Sequence, residues 1–323
     1  MLRTFASIGL IALSSLAAQA QAWPDRPVKI IVPYAADGGT DVLARVLADR
    51  LSDAFGQRFI VENRPGAGGI IGAEIVTRSA SDGYSLLVSS PAEIAINQHV
   101  YKKISYDPLK ELAPITLLAW TPLVITAHPD LKVTSPSELL ALLKARGGQV
   151  TYSSPGVGSA QHLAGELLKK TAGVDMKHVP YRGAAPAVQD ALAGHVPITI
   201  SGMPPVVELI KAGRLRAVAV TSAKRSKVLP DTPALAELGQ DFANLDITNW
   251  FGLFAPTGIS EHIRQKLHQA AVNALGDPMV RQRIADQGAE AVGNTPAEFT
   301  AFIAAESARY ARIAKLSGVR VEE

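Results

Sequence analysis

The sequence contains no cysteine. A disulfide framework, a thiolate nucleophile and a cysteine-ligated metal are all excluded by that absence. Charge is scarce as well: 19% of residues are charged and the formal net charge is +3. That is too little, and too dispersed, for a protein that binds nucleic acid or a membrane surface. The seven histidines show neither H-x-x-x-H nor H-E-x-x-H spacing, so no metal site and no cofactor is expected, and His128, His178 and His195 read as structural. Long apolar runs are missing outside the N-terminus, and no repeat or low-complexity stretch stands out.

The N-terminus is the exception. Arg3 supplies a positive charge, Phe5 to Leu16 an apolar core too short to span a bilayer, and "AAQAQA" two A-x-A positions. Residues 1–22 read as a secretory signal peptide cut after Ala20 or Ala22, and the Pro-rich "AWPDRP" argues against a helix continuing beyond it. About 300 mature residues exceed one small core and suit two lobes.

Short β-branched runs alternate with helical patterns. "VKIIVPY" precedes a helix from about Asp41 to Phe55, with Val42, Leu43, Val46, Leu47, Leu51 and Phe55 on one face. "RFIVE", "YSLLVS" and "PLVITAHP" repeat the strand signal, and "SPSELLALLK", with a capping box at Ser135 and Glu138, repeats the helix signal. The fold class is α/β with mostly parallel sheets and flanking helices. Two segments read as crossings between lobes: "LLAWTPLVIT", where two extended pieces meet around Trp120 and Pro122, and the aromatic "NWFGLFAPTG". The expected division is lobe 1 from residues 23–120 and 250–323, and lobe 2 from 121–249. The C-terminal helix, carrying Phe299, Phe302, Ile303, Tyr310 and Ile313, closes lobe 1. Extended crossovers suggest a hinge, with a ligand in the cleft.

Three loops carry candidate chemistry. In "VPYAADGGTDVLAR" a strand breaks at Gly38 and Gly39 before a helix opened by Thr40 and Asp41, a helix terminus whose free amides and N-cap oxygen suit an anion. "VTYSSPGVGSAQHLAGELL" repeats the arrangement, with Ser159 as N-cap and His162 in the first turn, so that the two termini face one small anion from opposite sides. In "VPYRGAAPAVQDAL", Arg182 is placed to pair with a carboxylate. Enzyme motifs fail: Val157 stands where a G-x-S-x-G elbow needs glycine before Ser159, and Ile71 breaks the dinucleotide fingerprint in "RPGAGGIIGAE". Gly66, Gly68, Gly69 and Gly72 read as a tight turn with close helix packing.

Taken in order, "WPDRPVKIIVPYAADGGTDVLAR", "IVENRPGAGGIIGAE", "YSSPGVGSAQHLAGELL", "VPYRGAAPAVQDALAG", "GRLRAVAVTSAKRSKVLPDTPALAELG" and "WFGLFAPTG" resemble the Bug family, periplasmic solute receptors of tripartite tricarboxylate transporters. The resemblance covers essentially the whole mature chain. It implies a monomeric, two-lobed periplasmic binding protein of type II-like architecture that closes on a small organic acid and presents it to membrane permease subunits. By position it assigns ligand binding to Tyr34, Ala35, Asp37, Gly38, Gly39, Thr40 and Asp41; to Ser90 within Ser89 to Glu93; to Ser154, Gly156, Gly158, Ser159 and His162; and to Tyr181, Arg182 and Gly183. In such proteins backbone amides, hydroxyls and ordered water hold the ligand carboxylate. Two departures stand out: Asp37 where the family has a small residue, and Pro197 where it often has an acid. Asp37, with Glu93 if it faces the cleft, biases the expectation towards an amino acid or another donor-bearing acid. A sensory receptor contacting a membrane kinase and an exported serine hydrolase using Ser159 and His162 are the alternatives.

Overall fold

A computed structural model describes residues 23–322; the expected signal peptide and its cleavage site lie outside the described residues. Ten strands form one sheet system: β1 (Val28–Val32), β2 (Phe59–Asn63), β3 (Ser85–Ser89), β4 (Leu112–Ala127), β5 (Thr151–Ser154), β6 (Lys177–Pro180), β7 (Ile198–Gly202), β8 (Arg216–Val220), β9 (Thr248–Pro256) and β10 (Glu290–Ala291). Helices α1 (Gly39–Phe55), α2 (Ile70–Thr77), α3 (Asn97–Val100), α4 (Pro108–Glu111), α5 (Pro136–Arg146), α6 (Ala160–Ala172), α7 (Ala184–Leu192), α8 (Val207–Lys211), α9 (Glu261–Gly276), α10 (Pro278–Asp286) and α11 (Pro296–Ser317) join and cover them.

The strand order is β2-β1-β3-β9-β4-β7-β5-β6, with β8 and β10 also on β4. On the first flank β1 pairs in parallel with β2 and β3, and on the second β5 pairs in parallel with β6 and β7. Parallel neighbours need crossover helices, which α1, α2, α6 and α7 supply. "VKIIV" shows why β1 sits inside a flank: Val28, Ile30, Ile31 and Val32 are buried, while Lys29 reaches out to Glu62 at 2.9 Å.

The flanks are joined by antiparallel strands. Up to Pro122, β4 pairs with β9; from Leu123 onwards it pairs with β7. Where two extended pieces were expected to meet around Trp120 and Pro122, the chain runs as a single strand of 16 residues that changes partners at Pro122. Proline is tolerated there because the ladder is already broken at the change. The base of β9 is pinned by α11: Trp250 Nε1 donates to Glu306 Oε2 at 3.0 Å and Tyr310 Oη to the carbonyl of Thr248 at 2.8 Å. Arg309 holds Glu306 in turn and donates to the carbonyl of Asp246. Phe299, Ile303, Tyr310 and Ile313 are buried along α11, as its periodicity predicts. The helix also packs against α6, so it touches both flanks.

Candidate functional site

Most long helices here close their own N-termini. The side chains of Ser135, Ser159, Ser260, Asp277 and Thr295 accept amide hydrogen bonds at the starts of α5, α6, α9, α10 and α11. By contrast α1 begins after Gly38 and α7 after Gly183, and neither has a side-chain cap. Among the described residues no acceptor meets the first-turn amides of Gly39, Thr40 and Asp41, or those of Ala184 and Ala185, while Pro186 has no N–H. The two starts come from opposite flanks and meet: a methyl group placed on Gly38 would lie 3.7 Å from the Ala184 Cβ and 3.8 Å from its nitrogen. Two helix dipoles thus point their positive ends at one place.

A cavity of about 30 Å³ lies there between Tyr34, Gly38, Gly39, Thr40, Ser90, Pro155, Gln161, Ala184, Gly202, Pro204, Pro205, Asn249 and Phe251. Its lining holds no Asp, Glu, Lys, Arg or His. Thr40, Gln161 and Asn249 are 6%, 5% and 7% exposed, and no hydrogen bond from another described residue ends on their side chains. None of the three is among the buried side chains left without a partner, so their polar atoms keep accessible surface at the cavity, where a ligand or water can reach them.

Behind the cavity lies a polar relay. Tyr34 Oη and Ser90 Oγ are 3.1 Å apart, and Glu93 Oε2 accepts from Ser89 Oγ at 2.8 Å and from the amide and hydroxyl of Ser90 at 3.2 and 3.1 Å. Burial raises the Glu93 carboxyl above the ordinary glutamate range, opposed in part by the Tyr34, Ser89 and Ser90 hydrogen bonds, and burial likewise raises the Tyr34 phenol. Glu93 therefore braces Ser90 and does not line the cavity.

Of the residues assigned from sequence, Tyr34, Gly38, Gly39, Thr40 and Ser90 line the cavity. The amide of Ala35 donates to the carbonyl of Arg182 at 3.0 Å, a bond between the flanks, and Gly183 packs beside it. Gly156, Tyr181 and Arg182 line a neighbouring pocket of about 240 Å³ with Gly66, Gly68, Gly69 and Tyr101; it shares Tyr34 and Pro155 with the first. Asp41 faces the scaffold: Oδ2 accepts from the Asp37 amide and Arg45 Nε, Oδ1 from Asn63 Nδ2. Burial works to raise its pKa, but the bonds from Arg45, Asn63 and Asp37 outweigh it and leave it lowered.

Asp37 is exposed and lines neither pocket, which corrects its reading as a cleft residue. Its φ of 64° explains why a small residue suits the position. Asp37→Gly is expected to raise unfolding stability by up to about 1 kcal/mol and to leave ligand preference unchanged, as denaturant titration and calorimetry would show. A variant that altered preference would place Asp37 in the cleft after all.

The helix terminus at Ser159 is also corrected. Ser159 Oγ accepts from the His162 amide at 3.1 Å and donates to the carbonyl of Gly156 at 2.7 Å, so α6 spends its terminus on itself. His162 Nδ1 accepts from the Gly158 amide at 3.3 Å, and its ring stacks on His178 at 3.9 Å. His178 Nε2 meets Ser154 Oγ at 2.7 Å. The side chains of Ser159 and His162 make no hydrogen bond to each other, and the hydrolase reading through that pair loses its geometry. The terminus that does face the cavity is that of α7, reached by the "VPYRG" loop, in which the sequence pattern drew notice to Arg182 instead of the amides after Gly183. Gln161, Gly202, Pro204, Pro205, Asn249 and Phe251 were not foreseen; only the aromatic strand "NWFGLFAPTG" gave a signal, as a crossing.

A family model described as "Tripartite tricarboxylate transporter family receptor" matches residues 43–319. The protein BugT of Bordetella pertussis is 40% identical over 326 aligned positions, covering 100% of this chain and 99% of the relative. Among solved structures, R. palustris Rpa4515 with adipate shares 35% identity at a TM-score of 0.89, covering 92% of this chain and 99% of the other. MatC (Rpa3494) from Rhodopseudomonas palustris with bound malate shares 29% identity at a TM-score of 0.86, covering 90% and 99%.

Proposed function

The chain belongs to the tripartite tricarboxylate transporter receptor family, and from that premise we propose that it is a non-catalytic periplasmic receptor. It closes two lobes on a small organic carboxylate and delivers it, as a monomer, to membrane permease subunits. The observation that carries this reading is the convergence of the uncapped α1 and α7 on one cavity without charged side chains. A carboxylate fits that chemistry: unpaired amides and two helix dipoles favour an anion. The adipate and malate bound by the two similar proteins support the same class.

The change of partners in β4 at Pro122 and the start of β9 at Thr248 support a division into residues 23–120 with 250–323 and residues 121–249. Only closure brings the amides of both lobes to one ligand, so binding should favour the closed state. The test is thermal unfolding and calorimetry of the mature protein with adipate, malate and succinate. A ligand at a hundred times its Kd should add about 2.7 kcal/mol of stability. If no carboxylate in a broad panel shifts the transition, the receptor reading fails.

A further inference from the structure

Away from the cleft, a groove of about 800 Å³ lies where β4 changes partners. Its floor is Trp120, Pro122 and Thr248; one wall is α10 with β10, and the other is the loop after β8. The strand register says which side this is. Trp120 opposes Trp250 and Pro122 opposes Thr248, so the floor residues share one face of the sheet. Asn249 and Phe251 face the other way, into the cleft cavity. The groove is therefore the back of the strands on whose front the cleft lies, with one wall on each side of the division proposed above.

We propose that this groove is a second ligand site, for a small anion with a flat apolar body, and that filling it favours the closed cleft. Its volume falls within that of small-molecule pockets, roughly 300–1,000 Å³. Trp120 is only half-buried, and Val228, Ala285 and Ala291 extend the apolar lining; an indole face takes flat bodies by stacking. Four cations also line the groove. Arg225 is held by Glu237 at 2.7 Å, but Lys224, Lys227 and Arg281 have no carboxylate partner among the described residues. Two acids, Asp246 and Glu290, stand against these three. The excess of free charge is one, so the apolar floor supplies most of the attraction and the charge selects an anion over its neutral counterpart.

Coupling to closure follows from the geometry. The Ala35 amide meets the Arg182 carbonyl at 3.0 Å across the flanks, so the cleft is shut here. Lobes that turn about β4 and β9 to shut the front draw apart at the back, and opening narrows the groove. An occupant that needs the wide groove thus binds the closed state better. This coupling rests on the receptor reading; the site itself does not.

The test is fluorescence titration of the mature protein with anilinonaphthalene sulfonate and with phenylnaphthylamine, the same body without the sulfonate. The sulfonate is expected to saturate at a single site, with the neutral amine weaker by about tenfold or more. Lys227→Glu combined with Arg281→Glu, both at exposed positions, should weaken the sulfonate by about tenfold or more; Lys224→Glu is the second variant should the first not fold. Equal binding of the two probes, or an unchanged affinity in a folded variant, overturns the site. Small-angle scattering of the protein without a cleft acid should show compaction at saturating sulfonate, and unchanged scattering overturns the coupling. Neither readout uses a cleft acid, so failure of every acid in the carboxylate panel overturns the receptor reading separately.

Discussion

Gly68→Ala is expected to weaken carboxylate binding by about a hundredfold, equivalent to about 2.7 kcal/mol, while the ligand-free protein stays folded. Gly68 has a φ of 58° and sits on the first flank, in the loop before α2. A methyl group there would lie 2.6 Å from the carbonyl oxygen of Val157, on the second flank, and 2.7 Å from Tyr101 Oη. The Tyr101 ring has a flexible end and gives way, whereas the Val157 carbonyl belongs to the loop that leads into α6. Two costs follow, and they fall on different states. Left-handed strain of about 1–2 kcal/mol applies whether the cleft is open or closed and appears as lost stability. The clash with Val157 exists only when the flanks meet, so it appears as lost affinity, because a ligand must then pay for a strained closed state. Titration of a tight-binding acid, with scattering to follow compaction, separates the two. An affinity within threefold of wild type, together with normal compaction, would remove Gly68 from the closure contact.

That contact also marks a limit of the sequence. The "RPGAGG" glycines read as a local turn with close helix packing, and Gly72 fits this, since a methyl there would press on Pro33 at 2.7 Å. Gly68 has the same local signature, yet its critical neighbour is 89 positions away; a pairing of that range leaves no periodic trace. Strands and helix starts were more legible, because alternation, β-branched runs and Ser or Thr caps are local physics. Ser135 accepts from the Glu138 amide at 3.3 Å as its pattern predicts, although the Glu138 carboxylate reaches back to Thr134 instead of Ser135. The first-flank half of the cavity was legible from "YAADGGTD", apart from Asp37 and Asp41, whose outward and scaffold-facing side chains depend on the turn's dihedrals. The second half was displaced: glycine and serine at Gly158 and Ser159 advertise a helix start, and the same serine closes it. An open terminus is one without such a cap, as after Gly183, and its signature is an absence.

Acidification is expected to destabilise the protein strongly between pH 6.5 and 4, and the stacked His162 and His178 rings are the reason. Burial pushes the His162 imidazole down to about 4, with the Glu166 charge opposing and Lys169 assisting. Burial, then the His162 ring and Lys169, push His178 down to about 3. An unfolded histidine titrates near 6.5, so below that pH the unfolded chain takes up protons that the folded chain refuses. Stability is therefore complete above about 6.5 and is lost progressively as pH falls towards the folded values. Each ring should remove about 2 kcal/mol between pH 7 and pH 5. Glu93 works in the opposite direction: its raised folded pKa favours the folded state below the unfolded glutamate value, and that contribution is lost as pH rises from there through the folded value. Urea titrations at the two pH values test the account, and His162→Asn sharpens it. The asparagine carbonyl can accept the Gly158 amide in place of Nδ1 but does not titrate, so the drop in stability should shrink by about half. An equal drop in both proteins would assign the acid sensitivity to other groups. If the halving is found, ligand affinity should follow the same acid profile, since the Ser154 and His162 contacts shape the loop that carries Pro155 to the cavity wall.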